Sequence, residues 1–304
     1  MIHGIINVYK EKGYTSHDVV ARLRGILGQK RIGHTGTLDP DAEGVLPVCL
    51  GKATKVCELL ADWDKTYRAI LLLGQVTDTQ DVSGEILETR EVTASIKEVY
   101  EAIQSFKGEY AQVPPMYSAL KVNGKKLYEL AREGKTVERK ARNVQIHEIK
   151  IHEIVLPRIS MTVNCSKGTY IRTLCHDIGQ KVGCGGCMES LLRTKVGIFE
   201  LEQSLRLAQI QEFSKQGRLV EHLLPVDQLF THVPKAQAAR RFEIMLKNGN
   251  RLPKQAFVLE NGPKQAPEPF PMLRIYLGQE FFGIYAWDAQ RGDYKPVKIF
   301  WSSL

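Results

Sequence analysis

A glycine-rich segment near the N-terminus carries one carboxylate that could do chemistry. Residues 33–40 read GHTGTLDP, so Asp39 stands directly before a proline. The proline biases Asp39 towards an extended or turn conformation, and Gly33, Gly36 and Gly44 allow tight turns or a close approach to a ligand. An ionised aspartate on a loop can act as a nucleophile or as a base. Composition by itself fits an ordinary surface turn better.

A pair of cysteines offers a second possible chemistry. Cys184 and Cys187 have the spacing of a metal half-site or a redox pair. The remaining cysteines and the histidines supply no second pair at a fitting distance, and the context is not thioredoxin-like. We therefore expect a glycine-rich turn here, no metal site, and thiols that stay reduced.

Length and composition limit the class of protein. The chain has 304 residues, of which 43% are hydrophobic, enough for one large domain with an appendage or for two domains. No apolar run is long enough to span a bilayer. The N-terminus lacks the charged and apolar regions of a signal peptide. We expect a cytoplasmic protein with no membrane partner.

An excess of basic residues suggests a polyanionic partner. The net charge is +8, and Lys and Arg contacts to phosphates release counterions. Residues 121–142 hold eight basic and three acidic side chains, a local excess of five positive charges. On its own, such a segment is typical of a solvated helix and loop face.

Hydrophobic periodicity predicts the elements that would position these groups. Ser16 is the predicted N-cap of a helix that ends at Gly28, residues 67–73 read as a largely buried strand, and residues 96–106 have helical spacing. Residues 159–165 alternate as a half-buried strand. A turn and a helix ending at Gly183 follow that strand. The apolar positions of the first and last helices are Val19, Val20, Leu23, Ile26 and Leu27, and Ile171, Leu174, Cys175, Ile178 and Val182.

This pattern places Arg172 in the first turn of a helix that directly follows a strand. Such a junction is a good place from which to aim a side chain into a cleft. Strands and helices alternate without a dinucleotide-binding fingerprint or a repeat period. We therefore predict a mixed α/β catalytic domain.

The character of the chain changes after Leu229. Residues 274–277 and 281–287 look like a hairpin, and the last 70 or so residues would suit a small β-rich domain. We predict a catalytic domain at residues 1–232 and a second domain at residues 233–304. An irregular loop is marked by Pro263, Pro267, Pro269 and Pro271.

Several segments together resemble the TruB family of pseudouridine synthases. GHTGTLDP is similar to that family's catalytic loop, and the resemblance runs from about residue 4 to about residue 229. Two departures are Glu11, where the family usually has proline, and Glu43, where it tends to have a small residue. The other matching segments are residues 10–16 (KEKGYTS), 64–68 (DKTYR), 77–79 (TDT), 113–121 (VPPMYSALK), 128–132 (YELAR) and 165–173 (CSKGTYIRT).

The resemblance implies a fold and a site. The fold would be that of a pseudouridine synthase, with a mixed and largely antiparallel sheet flanked by helices, plus a C-terminal PUA-like RNA-binding domain. Asp39 would be the essential group, Arg172 its charge partner, and Tyr67 would stack on the uracil. Leu191 would pack on the other face of the base, and His34 would fill the gap left in the RNA loop. The further substrate-binding candidates are Tyr170, Lys10, Lys12, Gly36 and Lys121.

The resemblance also implies an activity. The enzyme would isomerise one uridine in the T loop of tRNA, position 55, after flipping the base out of its stack, and it would assist tRNA folding. Moving uracil from a nitrogen to a carbon linkage needs no redox change, so no cofactor is required. Burial would raise the pKa of Asp39, and a nearby arginine would lower it. We expect a monomer that binds the T-arm stem-loop and needs no protein partner.

Three other functions compete with this one. The chain could bind or fold RNA with a decayed active site, but Asp39, Tyr67 and Arg172 are all present. It could be a guide-dependent relative acting on ribosomal RNA within a larger particle, although that class usually has extra terminal segments. A hydrolase that releases uracil would also use one carboxylate. For Glu43 we expect a solvent-facing side chain or a basic partner.

Overall fold

Alternating apolar side chains build the central sheet of the molecule. The structure, a computed structural model, describes residues 1–122, 124–260 and 269–301. The strands are β1 (Gly4–Lys10), β2 (Ile32–His34), β3 (Glu43–Leu50), β4 (Lys65–Leu73), β5 (Gln75–Thr77), β6 (Ile86–Thr89), β7 (Gly108–Gln112), β8 (Lys121–Val122), β9 (Lys125–Lys126), β10 (Arg142–Val155), β11 (Arg158–Cys165), β12 (Gly186–Val196), β13 (Phe199–Glu200), β14 (Lys235–Ala238), β15 (Leu252–Pro253), β16 (Phe257–Leu259), β17 (Met272–Leu277), β18 (Glu280–Asp288) and β19 (Asp293–Ile299).

Helices flank the sheets, and short 3₁₀ turns link several of the elements. The α-helices are α1 (Ser16–Leu27), α2 (Cys57–Ala61), α3 (Ile96–Gln104), α4 (Leu127–Arg132), α5 (Ile171–Val182), α6 (Leu207–Lys215) and α7 (Glu243–Lys247).

The large sheet has the strand order β1-β3-β12-β4-β11-β10-β7, with β2 beside β3 and β13 beside β12. Strands β3 and β12 run parallel, whereas the other neighbours in this order run antiparallel. The predicted mixed, largely antiparallel sheet is therefore confirmed. Strands β4 and β12, at its centre, carry two of the predicted site residues, Tyr67 and Leu191.

Helix α5 follows β11 across a turn, as the sequence predicts. Ile171, Leu174, Cys175 and Ile178 are buried, in a core with the central strands. The helix ends at Gly183, which adopts a left-handed conformation with φ of 94° and so favours a residue without Cβ. The chain then turns through Cys184 into β12.

The predicted N-cap of α1 is wrong by one residue. Thr15 caps the helix, because its hydroxyl accepts from the backbone N–H of Asp18, whose carboxylate accepts from the backbone N–H of Thr15. The hydroxyl of Ser16 instead accepts from the backbone N–H of Leu38 at 2.9 Å. Ser16 therefore ties α1 to the glycine-rich loop, and the C-cap is Gly28 as predicted.

A second sheet follows in the C-terminal part, with the order β15-β19-β18-β17-β14-β16. Strands β17 and β18 form the predicted antiparallel hairpin. Pro263 and Pro267, from the predicted irregular loop, lie outside the described residues. One apolar cluster contains residues near both sheets, including Ile5, Val45, Phe230 and Ile284. The two sheets therefore share part of their core.

Candidate active site

Asp39, on the glycine-rich loop between β2 and β3, and Arg172, in the first turn of α5, form an ion pair. The Nε atom of Arg172 lies 3.0 Å from one carboxylate oxygen of Asp39, and Nη2 lies 3.3 Å from the other. The Arg172 side chain is 6% exposed, whereas that of Asp39 is 42% exposed. The guanidinium thus lies behind the carboxylate, which keeps one side open.

Two further loops converge on the same guanidinium. Arg172 donates from Nη1 to the carbonyl of Thr79 at 3.0 Å and from Nη2 to the carbonyl of Tyr117 at 2.7 Å. The carboxylate of Asp81 lies 3.7 Å from Nε. The TDT and PPMYS segments are therefore joined to Asp39 through one side chain.

The backbone around Arg172 is fixed on both sides. The amide of Gln112 donates to the carbonyl of Tyr170 and accepts from its N–H, which holds the start of α5. The hydroxyl of Thr173 donates to the side chain of Gln80. Gln80 has a φ of 64°, a left-handed conformation that is strained for a residue with a side chain. Such strain clusters at functional sites.

The N-terminal KEKGYTS segment holds the glycine-rich loop. Lys10 is fully buried, and its ammonium donates to the carbonyls of Glu11, Pro40 and Ala42 at 3.2, 3.0 and 2.5 Å. The backbone N–H of Gly13 also donates to the carbonyl of Pro40. Lys10 thus lies beneath the turn that follows Asp39, where its ammonium group is hydrogen-bonded to three backbone carbonyls.

Burial and charge act on Asp39 in opposite directions. Removal from water raises the pKa of Asp39 above its ordinary value, because burial favours the neutral acid. Arg172 and Lys10 lower that pKa, whereas Asp81 raises it. The net result is a raised pKa for Asp39, because the effect of burial is larger than that of Arg172. Burial also lowers the pKa of Lys10 to about 8.

Tyr67 and Leu191 lie on the two central strands. Tyr67, on β4, is buried and stands opposite Arg193 on β12. Burial raises the pKa of the Tyr67 phenol, and Arg193 opposes this rise. Leu191 is half-buried, opposite Ala69, and packs on the core that contains Tyr67.

His34 ends β2 at the start of the loop, and its Nδ1 lies 3.0 Å from the carbonyl oxygen of Gly36. Burial lowers the pKa of the imidazole. An open cavity of about 500 Å³ adjoins His34. The basic side chains that line it are His17, Arg24, Lys30 and Arg31.

Two of the predicted lysines are exposed and make no contact with Asp39 or Arg172 among the described hydrogen bonds and ion pairs. Lys12 is exposed after β1, and Lys121 is exposed on the short strand β8. Within the basic segment, Lys125 and Lys135 pair with Glu133, and the other basic side chains make no ion pair among the described residues.

The two departures from the family pattern have specific partners. Glu11 forms an ion pair with Arg206 at 2.6 Å. Glu43 is half-buried and accepts from the hydroxyl of Tyr9 at 3.1 Å. The prediction of a solvent-facing Glu43 or a basic partner is therefore wrong, because β1 brings a phenol to this position.

Sequence reasoning missed Asp81, the backbone of Tyr117 and Arg193. Asp81 is two residues beyond the TDT segment, which could have indicated it. Arg193 follows Leu191 in the sequence SLLR, and nothing local marks it as buried. No group of three or more His, Cys, Asp or Glu side chains suited to a metal occurs within the described ranges. No helix in those ranges is both long and apolar enough to cross a bilayer.

Known proteins resemble this chain along nearly its whole length. The family model for the N-terminal domain of TruB family pseudouridylate synthases matches residues 24–171, and the model for the tRNA pseudouridylate synthase B C-terminal domain matches residues 172–231. Proteins named tRNA pseudouridine synthase B from Lachnoclostridium phytofermentans and Alkaliphilus oremlandii are 54% and 46% identical, each over 98% of this chain and over 100% and 97% of their own lengths.

A solved structure extends the similarity to three dimensions. The structure of an H/ACA RNP bound to a substrate RNA containing 2'-deoxyuridine matches 99% of this chain and 86% of its own, at 25% identity and a TM-score of 0.70. Asp39 lies within the first family model and Arg172 is the first residue of the second, so the ion pair joins the two matched segments. The chain belongs to the TruB family of pseudouridylate synthases.

Proposed function

We propose that this protein converts uridine 55, in the T loop of tRNA, to pseudouridine. The observation that carries the proposal is the half-open carboxylate of Asp39, backed by Arg172 and close to Tyr67. Relatives 42–54% identical to this chain are named for tRNA pseudouridine synthesis. That identity supports tRNA as the substrate class.

The reaction detaches uracil from ribose and reattaches it through carbon 5. It exchanges one glycosidic bond for another and moves the proton of carbon 5, so it needs no cofactor. Asp39 supplies the essential carboxylate in its ionised form, as a nucleophile or as a base. Arg172 favours the ionised form and orients it, since two of its nitrogens face the two carboxylate oxygens.

The uridine must leave the folded loop before it can react, which costs a few kcal/mol. Phosphate contacts and stacking supply this energy. Tyr67 and Leu191 flank the extruded base, and His34 fills the place that it leaves. The basic cavity beside His34 and the exposed Lys12 and Lys121 are suited to the RNA backbone.

The other readings have weaker support. The guide-dependent class is represented by the H/ACA particle at 25% identity, well below the relatives named for tRNA. A protein that only binds RNA has no need for a buried arginine aimed at a carboxylate, and burying such a pair is costly. We also propose that the protein acts in the cytoplasm as a monomer, assists tRNA folding, and has its PUA-like domain at residues 233–304.

The test uses a T-arm hairpin that carries tritium at carbon 5 of uracil. Wild-type protein should release tritium to water, and the Asp39→Asn variant should not. Release by both proteins would contradict the role of Asp39. Release by neither, with the hairpin still bound, would favour an RNA-binding protein. Free uracil that keeps its tritium would indicate a hydrolase.

A further inference from the structure

Arg193 is a buried cation beside the proposed site, and it has no ion-pair partner among the described residues. It lies on β12 with 1% of its surface exposed. Gly44 stands opposite it on the parallel strand β3, with a φ of 107°. A Cβ atom on Gly44 would lie 2.2 Å from the carbonyl oxygen of Arg193. The glycine therefore permits the close approach that brings this arginine under the catalytic loop.

The guanidinium is only partly satisfied by the protein. Its Nε donates to the carbonyl of Val45 at 2.7 Å, and Nη1 lies 3.5 Å from the carbonyl of Thr37. Among the described residues, no carboxylate pairs with it and no acceptor reaches buried Nη2 at hydrogen-bond geometry. Its basic neighbours are Lys10, Lys65 and His34. An unpaired buried cation is costly, and it is retained where it has a use.

The group that faces this cation is the phenol of Tyr67. The two residues stand directly opposite each other on β4 and β12, so their side chains project to the same face of the sheet. Cys165 and Asp39 also act on the phenol, and both disfavour its ionisation. Arg193 is the cation that attracts the phenol oxygen.

We propose that Arg193 is a positioning residue that holds the Tyr67 phenol and stabilises its ionised form while Tyr67 takes the proton from carbon 5. The inference rests on the proposed function. In this step the phenolate, whose own proton has gone to solvent, accepts the proton of carbon 5. The electron pair of the broken C–H bond restores the double bond between carbons 5 and 6.

The test is a double-mutant cycle in single-turnover assays of pseudouridine formation. Tyr67→Phe and Arg193→Gln should each slow the step by roughly 10²-fold, the scale of general acid–base catalysis. The double variant should be no slower than Tyr67→Phe alone, because Arg193 acts through the phenol. Losses that multiply would overturn the inference.

The pH profile separates this role from a structural one. In Arg193→Gln the rate should keep rising to a higher pH than in wild type, because the phenolate forms less readily. Lys65→Gln is the matched control, since Lys65 is also a buried cation but donates to the carbonyls of Ala61 and Trp63. The Lys65→Gln variant should have lower thermal stability and the same pH dependence of the rate as wild type.

If Arg193→Gln does not fold, Arg193→Lys can be used in its place. This variant keeps the positive charge and loses the planar guanidinium group. It should show a smaller loss that is likewise absent in the Tyr67→Phe background. A wild-type profile in either folded arginine variant would overturn the inference. An inactive wild type would instead overturn the proposed function itself, together with this inference.

Discussion

Replacing Arg172 by methionine removes the side chain on which three loops converge. Methionine keeps much of the aliphatic stem and makes none of the polar contacts. The change deprives Asp39 of its ion pair and leaves the carbonyls of Thr79 and Tyr117 without their donor. We therefore expect a loss of stability as well as a loss of rate.

The magnitude follows from burial. Stranding one partner of a buried ion pair costs roughly 3–5 kcal/mol. Because the Asp39 side chain is 42% exposed, water reduces that figure to about 2 kcal/mol. The two carbonyls add roughly 1 kcal/mol each. The free energy of unfolding should fall by about 4 kcal/mol, which corresponds to a fall in Tm of roughly 6 °C for a chain of 304 residues.

The loss should depend on pH. Burial raises the pKa of Asp39 above 3.8 even with Arg172 present, and without the arginine it rises further. A carboxyl whose pKa is higher in the folded than in the unfolded chain gains folding stability as the pH falls through its folded-state pKa. The deficit of Arg172→Met should therefore be smaller near pH 5 than near pH 7.5.

Guanidinium-induced unfolding at the two pH values measures this deficit. The matched control is Arg158→Met, because Arg158 also binds a carboxylate, that of Glu189, but its side chain is 56% exposed. An exposed pair should cost less than about 1 kcal/mol. Equal losses in the two variants, or a pH-independent deficit in Arg172→Met, would refute the reasoning.

Three further predictions concern the loop. Lys10→Met should lower the free energy of unfolding by roughly 2 kcal/mol, because three carbonyls lose a donor, whereas Lys12→Met should be neutral in the same denaturation assay. The acid limb of the single-turnover rate should lie above 3.8, the ordinary pKa of aspartate, because burial raises that of Asp39; a limb at or below 3.8 would contradict this. Gly44→Ala should yield little folded protein by circular dichroism, since its Cβ would collide with the backbone of Arg193.

The sequence predicts the elements of the site better than their contacts. The position of Arg172 could be predicted because a strand, a turn and a helix follow each other within 25 residues, so local periodicity determines it. The choice between Thr15 and Ser16 as N-cap could not, because both carry hydroxyls. The choice depends on Leu38, which is distant in sequence and whose backbone N–H donates to the Ser16 hydroxyl.

The missed residues share the same physical reason. Arg193 is buried because β12 packs parallel to β3, a pairing between segments almost 150 residues apart. The hydrogen bond between Glu43 and Tyr9 likewise depends on the pairing of β1 with β3. Neither pairing leaves a local pattern in the sequence. The direction of the pKa shift of Asp39 likewise depends on how far the folded chain excludes water from it.

The most direct test of the central claim is to identify the nucleoside at position 55 of a tRNA transcript after treatment with protein, by site-specific nuclease cleavage followed by chromatography, because uridine and pseudouridine have the same mass. Wild type should leave pseudouridine there, and Asp39→Asn, which keeps the size of the side chain and removes its charge, should leave uridine. Pseudouridine formed equally by both proteins would contradict the account.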